Sequence, residues 1–338
     1  MRLPKALNLE IGEHVRRRDF RVPIEYVEKG LIPVDAEGWS EDSETTSTLI
    51  TIAVDLGNVE AVRRLMELGA DVNQRTCYGS LLVSASALGN VEIVNLLLKA
   101  GADIRRTNDY EDDSGETALI AAAATGKLEL VRCLLEAGAD PKAVTAGRIT
   151  AIHGAALIGN KEMIEFLLES GCPVGPLDLH VPVVRRDLEV VRLLLQSKPN
   201  VNAGFVHESM PPGIKESDTP MHLAVARSVK DPIPRRRGLL GSVPKVPIDL
   251  APIRQKRLAI IDALIGAGAD ANRVRPCSGD TPLTIAVADG ELEIASRLLS
   301  AGADACKEVV VRGKSVTALT LAREARDPQL IELLAKPS

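Results

Sequence analysis

Histidine, cysteine and carboxylate placement bounds the chemistry this 338-residue chain can carry. Its five histidines, His14, His153, His180, His207 and His222, are the side chains whose ordinary pKa lies nearest neutrality and so the natural general acids or bases. None belongs to H-E-x-x-H, the spacing that puts two zinc-ligating nitrogens on one helix face. G-x-S-x-G, which holds a nucleophilic serine on a strained turn, does not occur, nor do the phosphate-cradling G-x-x-x-x-G-K-S/T and G-x-G-x-x-G. Cys77, Cys133, Cys172, Cys277 and Cys306 include no close pair, so reduced, inert thiols in the cytoplasm or nucleus are expected. No metal and no cofactor is expected. One arrangement keeps an enzyme or small-molecule binder open: a pocket at residues 150–225 into which His180, Phe205, His207 and Asp218 converge.

Composition narrows the scaffold that would position such groups. Hydrophobic residues make up 45% of the chain and aromatics 2%, so the apolar mass is aliphatic and suits thin helices packed in layers. A net charge of -5 gives no overall attraction to nucleic acid or anionic membrane. Residues 1–20 lack the apolar run of a signal peptide, and no stretch approaches 18 uninterrupted apolar residues, so a soluble intracellular chain is expected.

One plan recurs along the chain. In a clear copy, Thr117 can accept a backbone N–H as a helix N-cap, and Ala118 to Ala124 predicts a thin first helix. Gly126 supplies the left-handed turn, Leu130, Val131, Leu134 and Leu135 mark the buried side of a second helix, and Gly138 ends it. Asp140 then begins a hairpin. The hexapeptides Thr219-Pro220-Met221-His222-Leu223-Ala224, Thr281-Pro282-Leu283-Thr284-Ile285-Ala286 and Thr150-Ala151-Ile152-His153-Gly154-Ala155 repeat its start. Gly-Ala-Asp at residues 69–71, 101–103, 138–140, 268–270 and 302–304 repeats its end. A lone helix pair leaves an apolar side uncovered, so each copy needs neighbours.

T-P-L-H-x-A followed by G-A-D resembles the ankyrin-repeat family. The resemblance implies an all-α ankyrin-repeat solenoid of seven to nine helix-turn-helix units with β-hairpin fingers and capped ends. Markers at Thr48, Ser80, Thr117, Thr150, Leu177, Thr219, Thr281 and Thr317 are spaced 32, 37, 33, 27, 42, 62 and 36 residues apart, around the roughly 33 of that family. Residues 1–47 are read as a degenerate capping unit, with Arg18 to Gly30 its second helix, and an acidic loop. Residues 48–316 are the repeats and 317–338 the C-terminal cap. The unit near 177–202 is irregular: Pro182 falls inside its first helix and Lys198-Pro199-Asn200 replaces Gly-Ala-Asp. A notch or a change of curvature is expected there. His153, His180 and His222 occupy the family's T-P-L-H position, which implies a structural bond to backbone between units.

The resemblance also implies a protein-protein interaction module, an adaptor, scaffold or inhibitor, holding another protein in a concave groove and on its fingers. Partner contacts are expected from Tyr78 and from the acidic finger Asp109, Tyr110, Glu111 and Asp112. A longer finger adds Phe205, His207 and Met210, an exposed aromatic and thioether in a chain poor in both. A proline-rich basic insertion, residues 229–256, holds Arg235, Arg236, Arg237, Lys245, Arg254 and Lys256, with Arg257 just after it, and is expected to be extended. It is the one route by which nucleic acid or membrane would be bound, although it has no aromatic residue for base stacking. Asn73 stands where ankyrin families carry asparaginyl hydroxylation and is a candidate modification site. Without its partner the chain is expected to be a monomer.

Overall fold

A computed structural model describes residues 5–38, 47–76, 79–108, 115–204, 218–226, 251–275, 278–311 and 314–335. Wherever aliphatic residues recur every three or four positions the chain is helical, and the helices come in consecutive pairs. Residues 1–173 and 174–338 form two compact units. The first holds α1 (Lys5–Arg16) with α2 (Arg21–Glu28), α3 (Leu49–Asp55) with α4 (Val59–Glu67), and α5 (Leu81–Ala87) with α6 (Val91–Lys99). It continues with α7 (Ala118–Ala123) and α8 (Leu128–Glu136), then α9 (Ala151–Ile158) and α10 (Lys161–Glu169). The second unit holds α11 (His180–Arg185) with α12 (Leu188–Leu195) and α13 (Pro220–Val225) with α14 (Ala251–Gly266). It ends with α15 (Pro282–Ala288) and α16 (Leu292–Ser300), then α17 (Ala318–Glu324) and α18 (Pro328–Ala335).

Each unit is built in two helical layers. In the first, α3, α5, α7 and α9 pack side by side, and α2, α4, α6 and α8 form the other layer. In the second, α11, α13, α15 and α17 line up, while α12 packs on α14 and α16 on α18. One leucine per second helix fills the space between layers: Leu65, Leu97, Leu134, Leu167, Leu194, Leu264 and Leu298 are all at 0% exposure. The first helices are thin enough to touch backbone to backbone. A Cβ placed on Gly154 would stand 2.9 Å from the Ala124 nitrogen, so α9 lies closer to α7 than a side chain there allows.

The threonine phase is realised as helix caps. Thr48, Thr117, Thr150, Thr219, Thr281 and Thr317 each accept the backbone N–H three residues on, satisfying a donor that the helix itself leaves open. Between repeats the chain forms short hairpins, β1 (Arg75–Thr76) with β2 (Gly79–Ser80) and β3 (Thr107–Asn108) with β4 (Glu116–Thr117). The third, β5 (Val309–Val311) with β6 (Lys314–Val316), pairs Val309 with Val316 and Val311 with Lys314.

Three expectations are corrected. Leu177 is not a cap: α11 starts at His180 behind Leu179, because the buried Asp178 accepts the Gly175 N–H at 2.7 Å and folds a shortened finger back on itself. Pro182 is therefore the third residue of α11, in the first turn, where an N–H has no intrahelical acceptor and proline is tolerated. Next, residues 251–256 are not extended but open α14, with Pro252 second in the helix, a position that suits its fixed φ. Finally, the N-terminal unit has a first helix, α1, that the sequence reading did not assign; α1 packs on α2.

Lys198-Pro199-Asn200 keeps the geometry of Gly-Ala-Asp by substitution of roles. Lys198 takes the left-handed conformation at φ +50°, and Asn200 Oδ1 accepts the Asn202 N–H at 3.1 Å just as Asp71 accepts that of Asn73 at 2.8 Å.

Candidate partner-binding surface

Side-chain amides tie one finger to the next. Asn73 donates through Nδ2 to the Gly101 carbonyl at 2.9 Å and accepts the Asp103 N–H on Oδ1 at 2.7 Å. Asn202 does the same to Gly268 and Asp270, at 3.3 and 2.7 Å, and Asn272 to Gly302 and Asp304, at 2.8 and 2.7 Å. Both ends of the Asn73 carboxamide, the candidate modification site, are thus engaged by the next repeat.

The histidines of the first helices make a related connection. His222 accepts the Thr219 N–H on Nδ1 at 3.3 Å, which fixes the tautomer and leaves Nε2–H to donate to the Arg273 carbonyl at 3.0 Å. His180 Nε2 stands 2.9 Å from the Asp218 carbonyl, and His153 is buried at the matching place on α9. Burial, helped by the nearby Arg275 charge, holds the His222 pKa down at about 4, so the ring is neutral at pH 7. Its folded pKa lies below the ordinary 6.5. Its contribution to stability is therefore complete above about pH 6.5 and is lost as pH falls towards 4, by roughly 3 kcal/mol in all. We expect the urea midpoint of the wild-type chain to fall across this window and that of His222→Gln to fall less; equal slopes would exclude His222 as the source.

On the α3–α9 layer, the position eight residues after each cap carries Leu56, Leu88, Thr125 and Ile158. Leu88 is 52% exposed and Ile158 40%, while Leu56 is half-buried. The glycines that follow keep these ends together: Lys127 Nζ donates to the Gly89 carbonyl at 2.7 Å, and Asn160 Nδ2 to that of Gly126 at 3.3 Å. A Cβ on Gly126 would come 3.0 Å from Ile158 Cδ1. In the second unit the equivalent described positions are Arg185, Asp289 and Ala325, so the aliphatic row belongs to the first unit.

A family model described as ankyrin repeats matches residues 27–108, 105–178 and 251–338, well over half of the chain. The chain belongs to the ankyrin-repeat family. No curated protein matches it. Ankyrin repeats are generally modules for protein-protein interaction, and the exposed aliphatic row lies on the first helices of these repeats. Residues 1–26 and 179–250 lie outside the match; the latter include α11, α12 and α13, which keep the pairing of the repeats.

Most side chains picked from the sequence lie outside the described residues: Tyr78, Asp109, Tyr110, Glu111, Asp112, Phe205, His207, Met210, Arg235, Arg236 and Arg237. Of the convergent pocket, His180 and Asp218 do meet, but through the Asp218 backbone. The Asp218 carboxylate is paired instead with the Arg275 guanidinium; burial pushes its pKa up and Arg275 opposes this. The two side chains therefore form no acid-base pair. Among the described residues no group of His, Cys, Asp and Glu is placed to hold a metal, and no helix is long and apolar enough to cross a membrane.

Of Arg254 and Arg257, both read from the sequence as solvated cations at the end of the insertion, Arg257 turns inwards from α14 while Arg254 stays exposed. Arg257 is 4% exposed and donates to the carbonyls of Ala224, at 3.2 Å, and Val225, the last residues of α13. It also donates to Glu291 Oε1 at 2.8 Å, and Arg254 Nε stands 3.4 Å from the other oxygen of that carboxylate. Arg257 thus satisfies carbonyls at a helix end where Ala226 leaves in an extended conformation, without the left-handed turn of the other repeats. The signal in the sequence was the helical spacing of Leu258, Ile261 and Leu264, which extends back to Arg257.

Proposed function

We propose that this protein is a binding module that holds a polypeptide partner against the first helices and fingers of residues 48–173, serving as adaptor, scaffold or inhibitor. The observation that carries this reading is the exposure of Leu88 and Ile158 at equivalent places at the C-terminal ends of α5 and α9, where the solvent-facing side of a helix ordinarily carries polar groups. A face held by layered helices and ladders of side-chain bonds has little ordering entropy left to lose, so modest contacts suffice for affinity. The reducing cytoplasm or nucleus suits the thiols: burial pushes the Cys172 pKa up to about 11 and raises that of Cys133, leaving both protonated and unreactive.

The test is quantitative crosslinking in the native cell, comparing the wild-type chain with Leu88→Asp/Ile158→Asp, with Glu136→Lys on an exposed part of α8, and with a chain lacking 229–248. That deletion spares α14. The double aspartate variant should lose its main crosslinked protein while the α8 variant retains it. Equal recovery by both would refute the assignment of this face. Loss confined to the deletion would favour binding through the basic insertion.

A further inference from the structure

The four turns that close the first helices of residues 48–173 lie against one another as one edge. A Cβ on Gly57 would touch Asn90 Nδ2 at 3.6 Å, Lys127 Nζ donates to the Gly89 carbonyl at 2.7 Å, and a Cβ on Gly126 would come 3.0 Å from Ile158 Cδ1. Leu56, Leu88, Thr125 and Ile158 therefore stand in a row, one per repeat. The Thr125 hydroxyl is already engaged, donating to the Ala122 carbonyl at 2.7 Å. Packed helices lie about 10 Å apart, so the row repeats at about that distance and runs about 30 Å from α3 to α9. Four residues beyond each member, in the first turn of the second helix, an exposed glutamate recurs: Glu60, Glu92, Glu129 and Glu162. Among the described residues only Glu92 of these four is ion-paired, to Arg63 at 3.1 Å. The lysines of the same turns are engaged within the protein, Lys127 at the Gly89 carbonyl and Lys161 with Glu165 at 3.8 Å.

Resting on the reading that this face binds a polypeptide, we propose that the bound segment is a basic amphipathic α-helix lying across the ends of α3, α5, α7 and α9. The repeat distance of the row selects a helix over a strand. Seven residues of α-helix advance about 10.5 Å in just under two turns and return within about 20° of the same side, so side chains seven apart meet successive repeats. Same-side residues of a strand recur every 6.7 Å or so, which is out of step with the row by the second repeat. A helix of about 20 residues spans the whole edge. Its aliphatic side covers Leu56, Leu88 and Ile158. Lysine or arginine on one flank meets the recurring glutamates, and this complementarity fixes which flank faces the second helices.

The test pans the full wild-type chain against an equal mixture of two phage-displayed peptide libraries, each about 21 residues long to match the edge. One has aliphatic residues set seven apart and the other at alternate positions, with every other position random. Selected clones should come from the first library, carry an excess of Lys and Arg, and gain helical circular dichroism on binding. They should bind about tenfold more weakly to Leu88→Asp/Ile158→Asp and to Glu129→Lys/Glu162→Lys, and with unchanged affinity to Glu136→Lys. Where either double variant lowers the Tm, Leu88→Ser/Ile158→Ser or Glu129→Gln/Glu162→Gln takes its place with the same expected direction. Clones of the alternating pattern that are lost on Leu88→Asp/Ile158→Asp would overturn the helix while leaving the face intact. Helical clones that lack the basic excess, or that ignore Glu129→Lys/Glu162→Lys, would overturn the proposal in the same way. Selection of no clone, or of clones indifferent to Leu88→Asp/Ile158→Asp, would overturn the underlying reading and this proposal with it.

Discussion

Arg257→Ala is expected to destabilise the second unit by about 3–5 kcal/mol, the largest effect of any single charge removal among the described residues. The replacement strands Glu291, which is 5% exposed, with Arg254 as its remaining cation at 3.4 Å, and it takes donors from the carbonyls of Ala224 and Val225 together. Burying a carboxylate without its partner costs far more than the net worth of the pair, because the desolvation penalty of both ions was already spent. Arg257→Met/Glu291→Leu should therefore recover much of the loss by removing both charges and keeping the volume. Urea titration of the three variants, with hydrogen exchange read at the amides of α13 and α16, separates the outcomes. A loss under about 1 kcal/mol for Arg257→Ala would mean that the pair is solvated, as exposed pairs are.

Leu134→Ala should cost about 2–5 kcal/mol. Leu134 is at 0% exposure in α8, and equivalent leucines fill the same place between the layers in α4, α6 and α10. Neighbouring repeats hold the helices apart, so the space vacated by the side chain cannot collapse, and the cavity adds to the lost transfer free energy. Glu136→Ala, on an exposed position of the same helix, should change stability by less than about 0.5 kcal/mol. Each repeat is stabilised by its neighbours, so the unfolding curve of the leucine variant should also broaden as α7 and α8 open ahead of the rest. Equal effects at 134 and 136 would contradict the layer assignment.

How much of this could be read beforehand depended on how far each interaction reaches along the chain. Six of the eight markers proved to be threonine caps because a cap joins residues three apart. Ser80 caps α5 by position without a side-chain bond, and Leu177 failed as a marker because Asp178 starts a competing turn. The second helix of that copy nevertheless kept its phase at Leu194. The first helix at the N-terminus lacks the glycine signal: Arg18-Asp19 follows it as Arg186-Asp187 follows α11 and Arg326-Asp327 follows α17, arginine standing in the left-handed turn in all three. The glycine that marks the other turns is absent there because arginine adopts the left-handed conformation, at some cost.

The amino-acid sequence by itself determined the repeat, its helix pairs, their caps and turns, and the leucine that fills each layer, since all of these are settled within a few residues or by one helical period. Tertiary structure decided which charges are buried. Arg257 lies in a stretch that reads as solvated and basic, yet the carboxylate and carbonyls it serves are 32 to 34 residues away in either direction. His222 reads as an ordinary imidazole, yet the protein packed around it lowers its pKa to about 4. Ionisation energy depends on everything within several ångströms in space, and residue spacing along the chain does not record that distance.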